Sequence, residues 1–326
     1  MSPYDACPQE TFGAAPAQAL LASGLMMPRS AYASAQRTLS RPAQCTGIGV
    51  HSGDKVTLRL LPAEPDTGIV FIRTDLKNGA RAIPARWDHV VDTRLCTVIG
   101  NDHGGKVATI EHLMAALRAA DIDNAIVEID GPEVPVMDGS SDAFVFLIEL
   151  AGTQELDAPR REITVLKPVA INVNGKTAML SPGEAPRFSF DIAFHQSPMM
   201  NQHFDFTLSA TGFKTQIGRA RTFGFFEEVD MMRKQGFARG GSLDNAIVIK
   251  GDTILNEGGL RYGDEFVRHK LLDAIGDLAL AGAPIRGHFH GNCSGHALNN
   301  QLLRALFADP SAWRLGNADE RQALDA

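Results

Sequence analysis

The apolar residues of this chain follow two spacings, one at every second position and one at helical intervals. Val56, Leu58 and Leu60 alternate with polar residues, which predicts a half-buried strand. In the second half, the segments RFSFDIAFH and HFDFTLS alternate strictly and predict two further strands. Alternation in both halves therefore predicts sheets in both halves.

Helical spacing is clearest near the end of the chain, where Leu271, Leu272, Ile275 and Leu278 predict an amphipathic helix over 269–280. Similar patterns predict four more helices, over residues 107–119, 141–152, 222–237 and 297–309. In each half the strands come first and a pair of helices follows, which is typical of a sheet packed on helices. We therefore predict the α+β class, with two layers of similar plan.

A polar, charged stretch over residues 152–162 separates the two halves and marks the expected domain boundary. The two predicted α+β domains are preceded by a mostly disordered extension and followed by a loose tail. The expected divisions are 1–33 for the extension, 34–157 for the first domain, 158–309 for the second domain and 310–326 for the tail.

Composition and charge narrow the class of function. The 326 residues are 44% hydrophobic and 21% charged, with a formal net charge of -7 and no long basic run. This argues against nucleic-acid binding and against an anchor on anionic membranes. No apolar run reaches the roughly 18–20 residues that span a bilayer. The four cysteines are scattered, which fits a reducing cytoplasm and gives no thiolate zinc site: Cys7, Cys45, Cys96 and Cys293.

The helix over 269–280 carries the first candidate chemistry. His269, Asp273 and Asp277 are spaced by four, so their side chains project from one stripe of the helix. An imidazole and a carboxylate one turn apart can share a divalent metal ion. The competing interpretation is an ordinary His/Asp pair on a helix surface.

A second pair, Glu111 and His112, lies in the predicted first-half helix. Adjacent helix residues point about 100° apart, so His112 can bind a metal while Glu111 reaches the attacking water. His112, His269 and Asp273 make a three-ligand set with a fourth position open, as catalytic zinc requires. Iron suits the same ligands. His296, in a Ser-Gly-His turn, is a further candidate for catalysis.

Several common catalytic motifs are absent from the sequence. There is no H-E-x-x-H, no Walker A loop and no G-x-S-x-G. The glycines of residues 47–53 lack the dinucleotide-binding spacing and lead into a strand, so they predict a tight turn that carries His51.

Seven ordered motifs resemble one family closely, that of the UDP-3-O-acyl-N-acetylglucosamine deacetylases of lipid A biosynthesis in Gram-negative bacteria. The resemblance covers residues 36–308. The motifs are TGIGVHSG (46–53), DTRLCT (92–97), TIEHLMAAL (109–117), PVMDGSS (135–141), RARTFGF (219–225), RHKLLDAIGDL (268–278) and SGHALNN (294–300).

The resemblance implies two similar two-layer domains, each a mostly antiparallel sheet on a helix pair, with a zinc site at their junction. It implies that His112, His269 and Asp273 hold the metal and that Glu111 is the general base. It also implies a positively charged His296, oriented by Asp277, that helps the amine leave. Lys270 and Thr222 lie where the family stabilises the oxyanion.

By the same resemblance, one segment forms an apolar passage for the substrate's fatty-acyl chain, and Phe194 stacks on the uracil ring. The passage residues are Leu95, Phe223, Phe226, Val229, Ala238, Gly241, Ser242 and Val248. A plain core-packing role is the alternative for each of them. Cys293 departs from the family pattern, which often has a basic residue there to meet the nucleotide's phosphates.

The implied reaction is hydrolysis of the N-acetyl group of UDP-3-O-(3-hydroxyacyl)-N-acetylglucosamine to the free amine and acetate, the committed step of lipid A biosynthesis. The expected partner is this small molecule alone, with Zn²⁺ or Fe²⁺ as cofactor and a monomeric, cytoplasmic protein. The alternatives are a metal amidohydrolase acting on another acylated sugar nucleotide and a non-catalytic binding protein on the same scaffold.

Overall fold

A computed structural model describes residues 35–194 and 200–317 of the chain. The predicted disordered extension over 1–33 lies outside these residues. Within them the protein is α+β, with mostly antiparallel sheets, which confirms the predicted class. None of the helices in the described part is long and apolar enough to cross a bilayer.

The strands of the first half form three sheets. A central five-stranded sheet has the order β2-β3-β9-β4-β5, and β6-β7-β8 and β1-β10 form smaller antiparallel sheets. The bounds are β1 Ala35–Leu39, β2 Ala43–Ile48, β3 Lys55–Pro62, β4 Ile69–Arg73, β5 Ala82–Pro84, β6 Val90–Asp92, β7 Val98–Gly100, β8 Lys106–Val107, β9 Ala125–Ile129 and β10 Thr153–Pro159. The alternation predicted for β3 is present, because Val56, Leu58 and Leu60 are all buried.

The strands of the second half form a seven-stranded mixed sheet and a three-stranded sheet. In the larger sheet β19 lies between β13 and β11 and also pairs with β14. The bounds are β11 Arg161–Val165, β12 Val169–Val173, β13 Lys176–Ser181, β14 Pro186–Ile192, β15 Gln202–Thr207, β16 Phe223–Phe225, β17 Ile247–Lys250, β18 Thr253–Ile254, β19 Ile285–Asn292 and β20 Trp313–Asn317. The first-half and second-half strands share no sheet among the described residues.

The helices pack on these sheets and against one another. Their bounds are α1 Glu111–Ala119, α2 Asp142–Ala151, α3 Ala210–Gly212, α4 Phe226–Lys234, α5 Glu265–Ala279 and α6 His296–Ala308. Two 3₁₀ turns, Asn78–Ala80 and Trp87–His89, and a π-helical turn, Phe213–Ile217, complete the described elements. The helix pairs α1/α2 and α5/α6 belong to the first and second half respectively.

Helices α1 and α5 meet at very close range. A Cβ atom added to Gly276 would lie 2.0 Å from the backbone oxygen of Glu111. Only glycine therefore allows the middle of α5 to lie against the first turn of α1. Since α1 belongs to the first half and α5 to the second, this contact joins the two halves where the candidate site residues lie.

Three sequence predictions need correction. The helix predicted over 107–119 begins only at Glu111, because Thr109 has a positive φ of 57° that ends the preceding extended chain. The helix predicted over 222–237 is strand β16 followed by α4, since Phe223 and Phe225 point into the core as strand residues.

The third correction concerns the tail expected to be loose from residue 310. Strand β20, Trp313–Asn317, pairs antiparallel with β11 along the edge of the larger sheet. Residues 318–326 lie outside the described part. At the expected boundary between residues 157 and 158 the chain is still in strand β10, which pairs with β1.

Candidate active site

Three metal-ligating side chains converge where α1 meets α5. His112 projects from the first turn of α1, and His269 and Asp273 lie one turn apart on α5. One ligand atom from each residue lies within 4.8 Å of the other two. The Nε2 atoms of His112 and His269 are 3.6 and 3.4 Å from the same Asp273 oxygen, Oδ1. All three side chains are buried.

The hydrogen bonding of His269 fixes which nitrogen faces the other ligands. Its Nδ1 donates to the carbonyl oxygen of Ala220 at 3.0 Å. Burial lowers the pKa of His269 to about 3, so the ring is neutral and Nε2 presents a lone pair. This lone pair faces a carboxylate oxygen with no proton between them. A divalent cation satisfies such an arrangement, so the three residues fit a metal site.

The second oxygen of Asp273 has a hydrogen-bond partner, whereas the second ring nitrogen of His112 has none in the described structure. Burial disfavours the charged form of Asp273, but the adjacent Lys270 ammonium holds the pKa of its carboxyl well below the usual range. Lys270 Nζ lies 2.7 Å from Asp273 Oδ2, the oxygen that faces away from the histidines. His112 Nδ1, by contrast, is buried without a hydrogen-bond partner in the described structure.

Glu111 lies beside the three ligands and is held on one side only. Its Oε2 accepts a hydrogen bond from the backbone N–H of Thr97 at 3.0 Å, and its Oε1 lies 3.8 Å from His296 Nε2. Burial raises the pKa of Glu111 above its ordinary value. A carboxylate with one fixed oxygen and a raised pKa is suited to accept a proton from a bound water.

His296 begins α6 and is positioned by Asp277. Its Nδ1 donates to Asp277 Oδ2 at 2.9 Å, and Asn299 Nδ2 donates to the same oxygen at 2.9 Å. Thr97 Oγ1 donates to the other oxygen of Asp277 at 2.6 Å. Although burial opposes it, the charges of Asp277 and Glu111 raise the pKa of His296 to about 9. The ring is therefore a cation at neutral pH, and its Nε2 faces the Glu111 carboxyl.

A cavity of about 570 Å³, called here the larger cavity, opens over these groups. Glu111, His112, His269, Lys270 and His296 line it. Further lining residues include Thr222, Phe194, Lys176, Arg94 and Cys293. A cleft that combines a metal-ligand triad, a carboxylate base and a cationic imidazole is equipped for metal-assisted hydrolysis.

The comparisons with known proteins identify the family. The family model for UDP-3-O-acyl N-acetylglycosamine deacetylase matches residues 36–308. The chain belongs to this family. This range is the one given above for the resemblance and contains all seven motifs. The resemblance found in the sequence is therefore confirmed, as is the prediction of an enzyme of lipid A biosynthesis. Neither alternative, an amidohydrolase for another sugar nucleotide or a silent binding protein, gains support.

Curated relatives carry the same name. The UDP-3-O-acyl-N-acetylglucosamine deacetylase of Acidithiobacillus ferrooxidans is 51% identical over 292 residues, which cover 88% of this chain and 95% of that protein. The deacetylase of Phenylobacterium zucineum is 49% identical over 280 residues, covering 86% and 96%. That of Myxococcus xanthus is 49% identical over 287 residues, covering 88% and 91%.

A second cavity of about 300 Å³, called here the smaller cavity, adjoins the larger one. The two share lining residues, among them Glu111, His112 and Thr222. Every residue that the deacetylase resemblance assigned to an acyl passage lines the smaller cavity: Leu95, Phe223, Phe226, Val229, Ala238, Gly241, Ser242 and Val248. Phe194 lines the larger cavity instead, with its ring 5.8 Å from Phe223.

Several residues of this deacetylase site were missed in the sequence analysis. Thr97 and Asn299 lie in the quoted motifs DTRLCT and SGHALNN, so the motifs contained a signal for them. Ala220 acts through its backbone carbonyl, which no side-chain pattern can indicate. His51, predicted only as part of a turn, lines the smaller cavity, and burial lowers its pKa. The buried Glu133 carboxylate, which binds the backbone of the His51 turn and lines neither cavity, had no signal of its own.

Proposed function

We propose that this chain hydrolyses the N-acetyl group of UDP-3-O-(3-hydroxyacyl)-N-acetylglucosamine to the free amine and acetate, the committed step of lipid A biosynthesis, and that it needs zinc. One observation carries the proposal. Three metal-ligating side chains from α1 and α5 converge beside a buried carboxylate and a cationic imidazole. The deacetylase family supplies the substrate class.

His112, His269 and Asp273 would hold the metal. Two imidazole nitrogens and one carboxylate oxygen are the ligands of many catalytic zinc sites, and they leave a position open. When bound, zinc activates water and polarises the amide carbonyl as a Lewis acid. The same donors accept Fe²⁺. Lys270, on the second oxygen of Asp273, keeps that carboxylate ionised and oriented.

Glu111 is the general base of the proposed reaction. Its oxygen Oε2 is fixed by Thr97, so Oε1 is the atom that takes the proton from the attacking water. The raised pKa of this carboxyl favours uptake of the proton. After the attack, Glu111 is neutral and no longer attracts His296 as strongly.

His296 assists departure of the amine. Its Nδ1 is held by Asp277, so Nε2 carries the proton that faces Glu111 and the larger cavity. An imidazolium at this position stabilises the negative charge of the tetrahedral intermediate and can donate to the leaving nitrogen. Asp277 is the orienting group, because its two oxygens also accept from Thr97 and Asn299.

Lys270 and Thr222 complete the oxyanion site of the proposal. The Lys270 ammonium, which donates to Asp273, lines the larger cavity beside the metal ligands. Thr222, at the border of both cavities, adds a neutral donor. Donors to an oxyanion contribute more in a buried cleft than in water.

The substrate's two ends would occupy the two cavities. The smaller cavity takes the 3-O-acyl chain, since its lining is mostly apolar. The larger cavity takes the nucleotide, with Phe194 against the uracil ring. Cys293 cannot bind phosphate by charge, but Lys176 lines the same cavity and supplies an ammonium. The cytoplasmic location expected from the scattered cysteines and the expected monomeric state stay predictions.

Replacement of Glu111 tests the proposal. Glu111→Ala should lower acetate release from the acylated UDP-sugar by about a thousandfold, because a positioned base contributes 10²–10⁴-fold. The variant should keep one chelator-sensitive zinc per chain, since Glu111 is not among the three ligands. Glu184→Ala, at an exposed carboxylate, is the matched control. Normal turnover in Glu111→Ala would refute the assignment of the base.

A further inference from the structure

Glu133 is a buried carboxylate with no part in the mechanism described above. Its side chain is almost fully buried and lies between two segments that are far apart in sequence. Its oxygens accept hydrogen bonds from the backbone N–H groups of His51 and Ser52, at 2.9 and 2.8 Å. They also accept from Thr109 Oγ1 at 2.8 Å. Breaking such bonds to a buried charged group is costly, so this carboxylate holds both segments firmly.

The first of the two segments held by Glu133, residues 108–111, leads directly to the general base Glu111. Thr109 has a positive φ of 57°, a conformation that β-branched residues rarely adopt. Two residues later the chain reaches Glu111, the first residue of α1. Ala108, just before Thr109, pairs with the residues on either side of Glu133: its N–H donates to the Pro132 oxygen at 2.9 Å, and its oxygen accepts from Val134 N at 3.0 Å. The strained turn before α1 is therefore held by the backbone next to Glu133 and by the Glu133 carboxylate.

The second segment forms part of the wall of the smaller cavity. His51 lines that cavity, and its backbone oxygen accepts from Arg239 N at 3.2 Å. The neighbouring Val50 oxygen accepts from Gly240 N at 3.1 Å. These bonds tie the turn to residues 238–241, which carry two of the proposed passage residues. At Gly49 an added Cβ would lie 2.3 Å from Glu133 Oε2, so the turn packs directly on the carboxylate.

We propose that Glu133 is a positioning residue that couples occupation of the acyl passage to the placement of Glu111. This proposal rests on the proposed function of the smaller cavity. An acyl chain that fills the passage stabilises residues 238–241 and the turn at residues 49–53. The turn holds the Glu133 carboxylate, which holds Thr109 and so the first turn of α1. Binding energy from the acyl chain then raises turnover rather than affinity alone.

The proposal is tested by kinetics with and without the acyl chain. The two substrates are the 3-O-(3-hydroxyacyl) UDP-sugar and UDP-N-acetylglucosamine, which lacks the chain, each assayed for kcat and KM with zinc-loaded enzyme. Glu133→Gln replaces one carboxylate oxygen with an amide NH₂ group at the point where the N–H groups of His51 and Ser52 and the Thr109 hydroxyl donate. It should lower kcat on the acylated substrate about tenfold, because one hydrogen bond to a charged group contributes about this much. Its kcat on the unacylated substrate should stay near that of the wild type.

Conservative changes at Thr109 provide a second test that does not depend on whether the Glu133→Gln variant folds correctly. Thr109→Val keeps the branched shape and removes the hydroxyl, so it should reproduce the selective loss of kcat. Thr109→Ser keeps the hydroxyl and should retain the wild-type ratio between the two substrates. Glu128→Gln, at a surface carboxylate paired with Arg59, is the charge control. An equal loss on both substrates would mean a merely structural role and would overturn the proposal.

A variant of the passage itself separates the hypothesis of an acyl passage from the hypothesis of coupling through Glu133. Gly241 has open space around it apart from ordinary contacts with Ala238, so Gly241→Trp should fill the smaller cavity without backbone strain. If Gly241→Trp leaves turnover of the acylated substrate unchanged, the passage is wrong and the coupling falls with it. If it blocks that substrate while Glu133→Gln acts equally on both, the passage stands and the coupling is refuted.

Discussion

The larger and smaller cavities adjoin at Glu111 and His112 but are built in opposite ways. The larger cavity rests on the helices α1, α5 and α6, and four of its buried polar side chains, Glu111, His269, Asp273 and His296, are held by hydrogen bonds. The smaller cavity is enclosed by short strands, a turn and α4, a helix with no fully buried residue. Its wall includes backbone hydrogen bonds between residues 50–51 and 239–240.

The difference shows what each cavity requires of its surroundings. Proton transfer needs atoms fixed to within a fraction of an ångström, which rigid helices and buried hydrogen bonds provide. A chain-binding wall needs apolar surface and can tolerate adjustment. Of the nine non-glycine residues with positive φ in the described part, four line one or both cavities, namely Leu95, Thr109, Ala238 and Cys293.

The largest expected effect comes from separating α1 and α5. Gly276→Ala would place a methyl group 2.0 Å from the Glu111 backbone oxygen, so the helices must move apart. Overpacking of this kind costs about 3 kcal/mol of the free energy of unfolding. Misplacement of the ligands and base should also lower turnover about a hundredfold. Thermal unfolding, zinc titration and acetate release measure the three consequences.

Gly263→Ala is the matched control for this change. Gly263 lies just before α5, and an added Cβ would meet nothing within 4 Å. It should keep wild-type zinc affinity and turnover. If Gly276→Ala behaved in the same way, the close helix contact would not position the metal ligands, and the contrast between a rigid and an adaptable cavity would lose its main support.

A smaller effect is expected when the charge that holds His296 is removed. The pKa of His296 is raised from 6.5 to about 9 because its charged form is stabilised in the folded protein, mainly by Asp277. That stabilisation is complete below pH 6.5 and is lost as the pH rises through about 9. The alkaline limb of kcat/KM should therefore lie near pH 9.

Asp277→Asn should move this alkaline limb to lower pH and lower kcat/KM at pH 8 about tenfold. The acidic limb, set by Glu111, should stay above the ordinary range for a carboxyl group because burial raises the pKa of Glu111. Asp88→Asn, at an exposed carboxylate paired with Arg86, is the control and should leave the profile unchanged. An unshifted alkaline limb in Asp277→Asn would exclude His296 as its source.

The same contrast explains how much the sequence could predict. His269, Asp273 and Asp277 share one helix, so their spacing by four alone indicates a common face. The hydrogen bond from Thr97 to Asp277 joins residues 180 positions apart, and no local pattern predicts it. Strand β16 was missed because its alternation lasts only three residues before α4 begins. Strand β20 forms only because β11, much earlier in the chain, offers it an edge.

The smallest expected effect concerns the wall of the smaller cavity. Phe226 lines that cavity and is still 48% exposed, so its ring can cover only part of a bound acyl chain. Loss of about half the burial of a phenyl group corresponds to roughly 1 kcal/mol, or about a fivefold higher KM for the acylated substrate. Phe226→Ala should leave kcat on the unacylated UDP-sugar and thermal stability near wild type, because the ring is not part of the core.

Phe146→Ala is the matched control, since this phenylalanine of α2 is 66% exposed and lines neither cavity. Each variant removes one exposed phenyl ring. A rise in KM confined to Phe226→Ala therefore assigns the effect to contact with the acyl chain. An equal rise in both would indicate nonspecific adsorption of an amphipathic substrate. A fall in kcat with unchanged KM for the acylated substrate in Phe226→Ala would instead mean that the wall of the smaller cavity positions the catalytic residues as rigidly as α5 does. The two cavities would then have to be treated as one rigid unit.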